Sequence, residues 1–275
     1  MPVLSQPEAM ANTAPPVIIL VRPQLGENIG AAARAMMNCG LYDLRLVAPR
    51  DGWPNPAAVP MAAGGADIIE NATVYSSVGD AAHDIGFLAA LSARRRDLPV
   101  RYADPRQTSS EILGHGGRSG LMFGPEASGL DNDEVALADC LVTAPLCRES
   151  PSLKLAQAVR RGAWDWRMAA LGATDDNGLA RQDADRDTTS TSRRDPAREP
   201  RRDAPASIQE RDRFHQRLEA ELDAGGFFIS PEMAPAVKRN LRALFARAAP
   251  SSQEISTLHG VIQALTKTRN RNKSG

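Results

Sequence analysis

From Pro16 to Leu171 short apolar runs alternate with stretches of helical periodicity, and this alternation restricts the possible folds more than any other feature of the chain. The runs read "VIILV", "LRLVA", "ATVYS", "IGFLAAL", "GLMF" and "LVTAPL". Strands covered on both faces are apolar without interruption, and helices between them return the chain to the same sheet edge. The pattern predicts an α/β domain with a mostly parallel sheet. Gly40 stands where a helix C-cap is expected, while Pro54, Pro56, Gly64-Gly65 and Gly116-Gly117 punctuate the connections.

Composition changes at Gly172. Residues 172–206 are polar, of mixed charge and almost free of large apolar side chains, so burial there cannot offset the entropy of ordering. They are predicted to be a disordered linker between residues 16–171 and a helical extension, residues 207–275. In that extension Phe214, Leu218 and Leu222 recur at helical spacing. "VKRNLRALFARAAP" and "SQEISTLHGVIQALTK" supply two further helices, the last capped by Ser251 or Ser252. The result is a small all-α unit whose exposed positions lean basic, with Arg211, Arg213, Arg217, Lys238, Arg239, Arg242 and Arg247 among them. Either a solvated surface or a phosphate-facing patch would have this composition.

The chain as a whole is neutral, with 33 basic and 33 acidic residues, so net charge selects no partner class. Its three cysteines form no disulfide framework or zinc spacing, which fits a reducing compartment. Residues 1–15 lack a basic start followed by an apolar core, and no apolar run is long enough to span a bilayer. The expectation is a cytoplasmic protein with a disordered N-terminus, no membrane association and no metal. The four histidines are scattered and none is assigned a catalytic role. Trp164 and Trp166 are expected to pack the last helix of the α/β domain.

Three stretches could carry chemistry. In "RPQLGENIGAAARAM", Arg22 to Met36, Asn28 is the expected N-cap of a helix ended by Gly40, and Gly30 implies a close approach to its backbone. Arg34 lies one turn beyond Gly30, where it is either a surface arginine or a group reaching the strand-to-helix end at which α/β ligands bind. Gly26 and Gly30 give GxxxG rather than GxGxxG, which argues against a dinucleotide site. "GLMFGPEASGLDNDEV" reads as a strand, a compact Gly124–Leu130 loop containing Glu126, and a helix capped by Asp131 or Asn132. In "APLCRESPSLKLAQAV" Ser152 is the expected cap of a helix.

Together "NIGAAAR", "MFGPEASGL" and "PSLKLAQAV", in this order, resemble the three motifs of the SPOUT RNA 2′-O-ribose methyltransferases, over Val17 to Leu171. The C-terminal run with "LDAGGFF" and "NLRALFARA" is similar to the extension of the subfamily that methylates ribose 32 of the tRNA anticodon loop. The resemblance implies a Rossmann-like sheet with a C-terminal trefoil knot, a homodimer, tRNA as substrate and S-adenosylmethionine as cofactor. It implies a cofactor pocket of Leu91, Ser92, Ala93, Gly124, Glu126, Ala144, Leu146, Ser152 and Leu153. It assigns catalysis to Asn28, Arg34 and Ser152, with the small residues after Asn28 packed at the dimer interface. Arginine stays charged, so Arg34 is a poor base and a better clamp for phosphate.

One departure from the family pattern bears on activity. Lys154 stands where the family has asparagine, and "CRES" replaces a proline-containing stretch. A long cation at a buried amide position would give a catalytically impaired tRNA-binding protein, the alternative to an active enzyme.

Overall fold

The structure, a computed structural model, describes residues 14–92, 98–143, 154–183 and 204–273, with side chains as far as Gly172 and Thr266 in the last two segments. In the α/β part the order is β1 (Val17–Val21), α1 (Gly26–Cys39), β2 (Leu44–Val47), α2 (Ala58–Ala62), α3 (Ala66–Glu70), β3 (Thr73–Tyr75), α4 (Val78–Ala81), β4 (Phe87–Leu91), β5 (Tyr102–Ala103), α5 (Pro105–Gly114), β6 (Ser119–Phe123), α6 (Asn132–Val135), β7 (Cys140–Val142) and α7 (Leu155–Asp183). The helical extension holds α8 (Ile208–Ala224), α9 (Ala234–Ala248) and α10 (Ser252–Lys273).

All pairs in the seven-stranded sheet are parallel, in the order β3-β2-β1-β6-β4-β7-β5. Each apolar run feeds both faces: Ile18 and Leu20 of β1 pack under α1 and α7, while Val17, Ile19 and Val21 pack under α4 and α8. Covering both faces explains why these strands are continuously apolar. The two-residue β5 has no apolar run to announce it and was not expected from the sequence. The trefoil knot implied by the resemblance falls on segments that include residues 93–97 and 144–153, which lie outside the described residues.

Two expectations about helix ends need correction, while a third holds. Leu25, not Asn28, is the N-cap of α1, with extended backbone and no side-chain cap bond. Asn28 already lies in the first turn, and its amide donates a hydrogen bond to Glu126, whereas a cap must accept one. Gly40 ends α1 in the left-handed region at φ 76°, as expected. The helix following the third motif starts at Leu155 and not directly after Ser152, which itself lies outside the described residues. It also runs to Asp183, into the expected linker, because extending a nucleated helix costs little even where composition is poor.

The small residues of α1 are consumed by packing within the chain. A Cβ on Gly30 would sit 2.0 Å from the carbonyl oxygen of Ala58 and 2.9 Å from Cβ of Met61. Ala32, Ala33 and Ala35 are buried as well, so the expectation that this stretch packs at a dimer interface does not hold for these side chains. Gly30→Ala would gain up to about 1 kcal/mol in helix propensity. Overpacking against a backbone oxygen costs about 1–3 kcal/mol, and at this separation the upper end applies. A net loss of about 2 kcal/mol is expected from urea denaturation, and an unchanged midpoint would contradict it.

The two tryptophans part company. They are two positions apart, about 200° around the helix, so only one can face the core. Trp166 is fully buried and Trp164 is 54% exposed.

The extension is docked on the sheet. Ser207 and Glu210 form a capping box at the start of α8, and the N–H groups of Ile208 and Gln209 donate to the carbonyls of Ile85 and His83. Arg211 reaches the buried Asp139 just before β7. The core of the helical unit gathers Phe214, Ile255 and Ile262 around α8 and α10, and Ser251 caps α10.

His215 is buried between Phe214 and Phe245, with Nδ1 unpartnered among the described residues. Burial, reinforced by the Arg242 charge, lowers its pKa to about 4. The unfolded chain titrates near 6.5, so between about pH 6.5 and pH 4 it takes up a proton that the folded chain refuses. Stability is therefore lost as pH falls through that window. Denaturation at pH 7 and pH 5 should show a smaller loss for His215→Gln than for the unsubstituted chain; equal losses would contradict this assignment.

Candidate active site

The first two motifs meet at the C-terminal edge of the sheet. β1 ends at Val21 and β6 at Phe123, with Leu20 in register with Phe123, so the turn before α1 and the loop after β6 leave the sheet side by side. The Gly124–Leu130 loop closes on itself: a Cβ on Gly124 would lie 2.2 Å from the nitrogen of Leu130, and Gly129 takes φ 69°. Its N–H donates to the Pro125 carbonyl. Asp131 then caps α6 in a capping box with Glu134, as the Asp-x-x-Glu spacing allows.

Folded this way, the loop presents the half-buried Glu126 to the first motif. One carboxylate oxygen accepts from the Asn28 side-chain amide and the other from the Gln24 backbone N–H at 3.1 Å. Glu126 thus clasps the turn and the first turn of α1 together. A second bridge stands beside it, between the Arg22 guanidinium and the carboxylate of Glu134. Sequence reading missed Gln24, Arg22 and Glu134. The available signal for Glu134 was the capping spacing, but its partner lies 112 residues away in the chain.

Arg34 lies on the open side of α1, with Glu27 and Asn38. It is exposed and makes no hydrogen bond or ion pair among the described residues. Six residues separate it from Asn28, about 120° around the helix and about 9 Å along it. Arg34 is therefore not part of the Glu126 clasp and is free to meet a group from outside.

Leu91, Ser92 and Gly124 are brought together. β4 lies between β6 and β7, with Leu91 in register with Phe123 and Val142, and Ser92 N–H donates to the Val142 carbonyl at 3.0 Å. These residues are half-buried where the strands end. Ala93, Ala144, Leu146, Ser152 and Leu153 lie outside the described residues.

Lys154 is exposed immediately before α7, and its carbonyl accepts from Gln157 and Ala158. Its side chain is exposed rather than buried, which does not favour an impaired enzyme. Cys140 is not a nucleophile, because burial raises its thiol to about 12, and Cys39 is likewise raised by burial. Among the described residues no group of three His, Cys, Asp or Glu could hold a metal ion, and no helix is long and apolar enough to cross a membrane.

Four of the extension's basic side chains are paired within the chain. Arg211 pairs with Asp139, Lys238 with Glu219, Arg239 with Asp133, and Arg242 with Asp212 and Glu219. Arg213 and Arg247 remain exposed without a partner among the described residues. α9 faces the active edge across a cleft of about 780 Å³ lined by Arg22, Ala48, Asp131, Glu134, Lys238 and Arg239 among others.

Comparison with known proteins agrees with this architecture. Residues 15–160 match the SpoU rRNA Methylase family, and residues 209–274 match the C-terminal domain of the tRNA methyltransferase TrmJ. The tRNA (cytidine/uridine-2′-O-)-methyltransferase TrmJ of Klebsiella pneumoniae subsp. pneumoniae is 34% identical over 250 residues, 90% of this chain and 95% of its own. The protein of that name from Salmonella typhimurium is also 34% identical, with the same coverage of both chains. The crystal structure of TrmJ from Z. mobilis ZM4 superposes with a TM-score of 0.77 at 40% identity, covering 92% of this chain and all of that one. A probable methylase family protein from Haemophilus influenzae Rd KW20 superposes with a TM-score of 0.55 at 27% identity, over 93% of this chain and 97% of its own. With matches on both sides of the segment 172–206 and likeness along nearly the whole length of these relatives, the chain belongs to the TrmJ family of SpoU-type methyltransferases.

Proposed function

We propose that the chain transfers a methyl group from S-adenosylmethionine to a ribose 2′-hydroxyl of tRNA, at nucleotide 32 of the anticodon loop. The observation that carries this reading is the Glu126 clasp, which joins the first motif to the second beside the strand ends that line the expected cofactor pocket. The described part of that pocket fits an adenosine-bearing cofactor. Leu91, Ser92 and Gly124 stand half-buried at neighbouring strand ends and bring backbone to its rim.

When bound, the cofactor supplies an electrophilic methyl group on a sulfonium sulfur. The chain's own contribution is to hold the reactants in near-attack geometry. Asn28 and Glu126 fix the first turn of α1. Arg34, exposed on that helix and without a partner among the described residues, orients the ribose by gripping an adjacent phosphate with its planar fork and polarises the 2′-hydroxyl. Ser152 completes the catalytic group in this reading.

The chain acts as a homodimer in the cytoplasm. Trp164, Met168 and Leu171 form an exposed apolar stripe at helical spacing on α7, which supports pairing with a second copy. Cys39 and Cys140 are free thiols, which fits a reducing compartment. The extension is read as a tRNA-contacting unit fixed to the catalytic domain. Lys154 is read as a tolerated variation, so an impaired binder is not favoured.

The test uses tRNA carrying a 2′-deoxynucleotide at position 32. It should accept no methyl group while the all-ribose tRNA is methylated. Equal methylation of both would place the target elsewhere.

A further inference from the structure

Arg22 is placed at β1's end in a conformation that an arginine adopts rarely. Its φ is 44°, in the left-handed region, and Ala48 at the end of the neighbouring β2 takes φ 43°. A non-glycine residue persists there only when its surroundings over-determine it, and such residues cluster at functional sites. The surroundings of Arg22 do so at both ends. Its backbone N–H donates to the Val47 carbonyl at 2.8 Å, continuing the β1–β2 ladder. Its guanidinium forks onto Glu134, with Nη2 to Oε2 at 3.1 Å and a shorter bond from Nη1 to Oε1, and Nη2 lies 3.6 Å from Asp131.

Glu134 is well suited to act as an anchor. Its side chain is 9% exposed and also accepts the Asp131 N–H at 2.7 Å, closing the capping box of α6. The paired carboxylate is therefore fixed by secondary structure rather than waving on the surface. The Arg22–Glu134 bridge is at one end of the turn leading into α1, and the Asn28–Glu126 bridge is at the other. The same two bridges hold the second motif, one from within its loop and one from α6 just beyond it. A turn tied at one point can still swivel; tied at two, it has one orientation. Arg50 adds a third restraint from the β2 side, its N–H donating to the Pro23 carbonyl.

We infer that Arg22, through its pair with Glu134, is a positioning residue for methyl transfer, fixing the turn that carries Asn28 and sets the direction of α1 and hence of Arg34. Arg22 touches neither cofactor nor ribose in this account. The inference rests on the proposed methyltransferase activity. It predicts loss of turnover without loss of binding, since misplacing reactants by about 1 Å can cost 10²-fold in rate.

The experiment compares the full chain with Arg22→Met, Glu134→Gln and the double variant. Turnover and KM for tRNA are measured in each, with hydrogen exchange at the backbone amides of Gln24, Asn28 and Ile29. Each single variant should lower kcat by about 10–100-fold with KM within about 2-fold, and the double variant should lose little more than either, because the two act as a unit. Exchange at the three amides should rise about 10-fold or more, while amides of β6 and β4 stay protected. Unchanged exchange, or a kcat within about 2-fold of the parent, would overturn the inference. A rise in KM with kcat retained would also overturn it, since Arg22 would then bind RNA directly. Exchange does not depend on activity. If the unsubstituted chain methylates no tRNA, the functional reading falls, and the role of the pair in fixing the turn is still decided by the amides.

Discussion

Arg34→Ala is expected to lower methyl transfer to tRNA by about 10²–10³-fold, the loss typical when one preorganised donor is removed from a reacting centre. Stability should stay within about 0.5 kcal/mol of the parent, because the side chain is exposed and has no partner among the described residues. Affinity for S-adenosylmethionine should also be retained, since Arg34 lies on the open face of α1 and not at the strand ends. Arg34→Lys separates charge from shape. Lysine keeps the cation but loses the planar fork that grips phosphate through two parallel bonds. The lysine variant should be as poor as the alanine variant. Single-turnover kinetics with saturating cofactor would check both, and an active lysine variant would count against the fork.

Arg211→Met is expected to destabilise the protein by about 3–5 kcal/mol, because it leaves a carboxylate buried without its counter-ion. Arg211 and Asp139 are 7% and 8% exposed, and the pair is bidentate, with Nη1 to Oδ1 at 2.5 Å and Nη2 to Oδ2 at 3.2 Å. Without Arg211, the Leu88 N–H at 2.8 Å would be the hydrogen bond left to Asp139 among the described residues. Replacing both partners by apolar residues, Arg211→Met with Asp139→Leu, should recover most of the loss, since no charge is then stranded. Thermal denaturation of the two single variants and the double variant tests this directly. A loss below about 1 kcal/mol in Arg211→Met would show that water reaches Asp139 and that the extension is not held there. The consequence reaches the active edge, because α8 starts at the opposite edge of the sheet and leads to α9, whose Arg239 meets Asp133 beside the second motif. Undocking α8 should therefore raise KM for tRNA more than it lowers kcat.

What the sequence reveals follows how local each cause is. "VIILV" and "GLMF" announce buried parallel strands because their apolarity is a property of the segment itself. Gly40 and Asp131 announce helix ends because capping acts within a few residues. Asn28 misled for a related reason. Asparagine before a helical run is a good cap by local rules, but here its amide is taken by Glu126, 98 residues further along. The Arg22–Glu134 and Arg211–Asp139 bridges are illegible for the same reason, since each joins residues that only the folded sheet makes neighbours. The basic lean of the extension was visible, but the carboxylates that pair with Arg211, Lys238, Arg239 and Arg242 were not, since they come from other helices and from the residue before β7. Three motifs in order identified the chemistry more firmly than any one of them could, while the geometry that positions Arg34 had to come from the fold.

Methyl transfer to one ribose of tRNA is tested by incubating the purified protein with labelled S-adenosylmethionine and unmodified tRNA, then mapping the label. Label is expected on the ribose of nucleotide 32 and on no base. No incorporation, or label confined to a base, would contradict it.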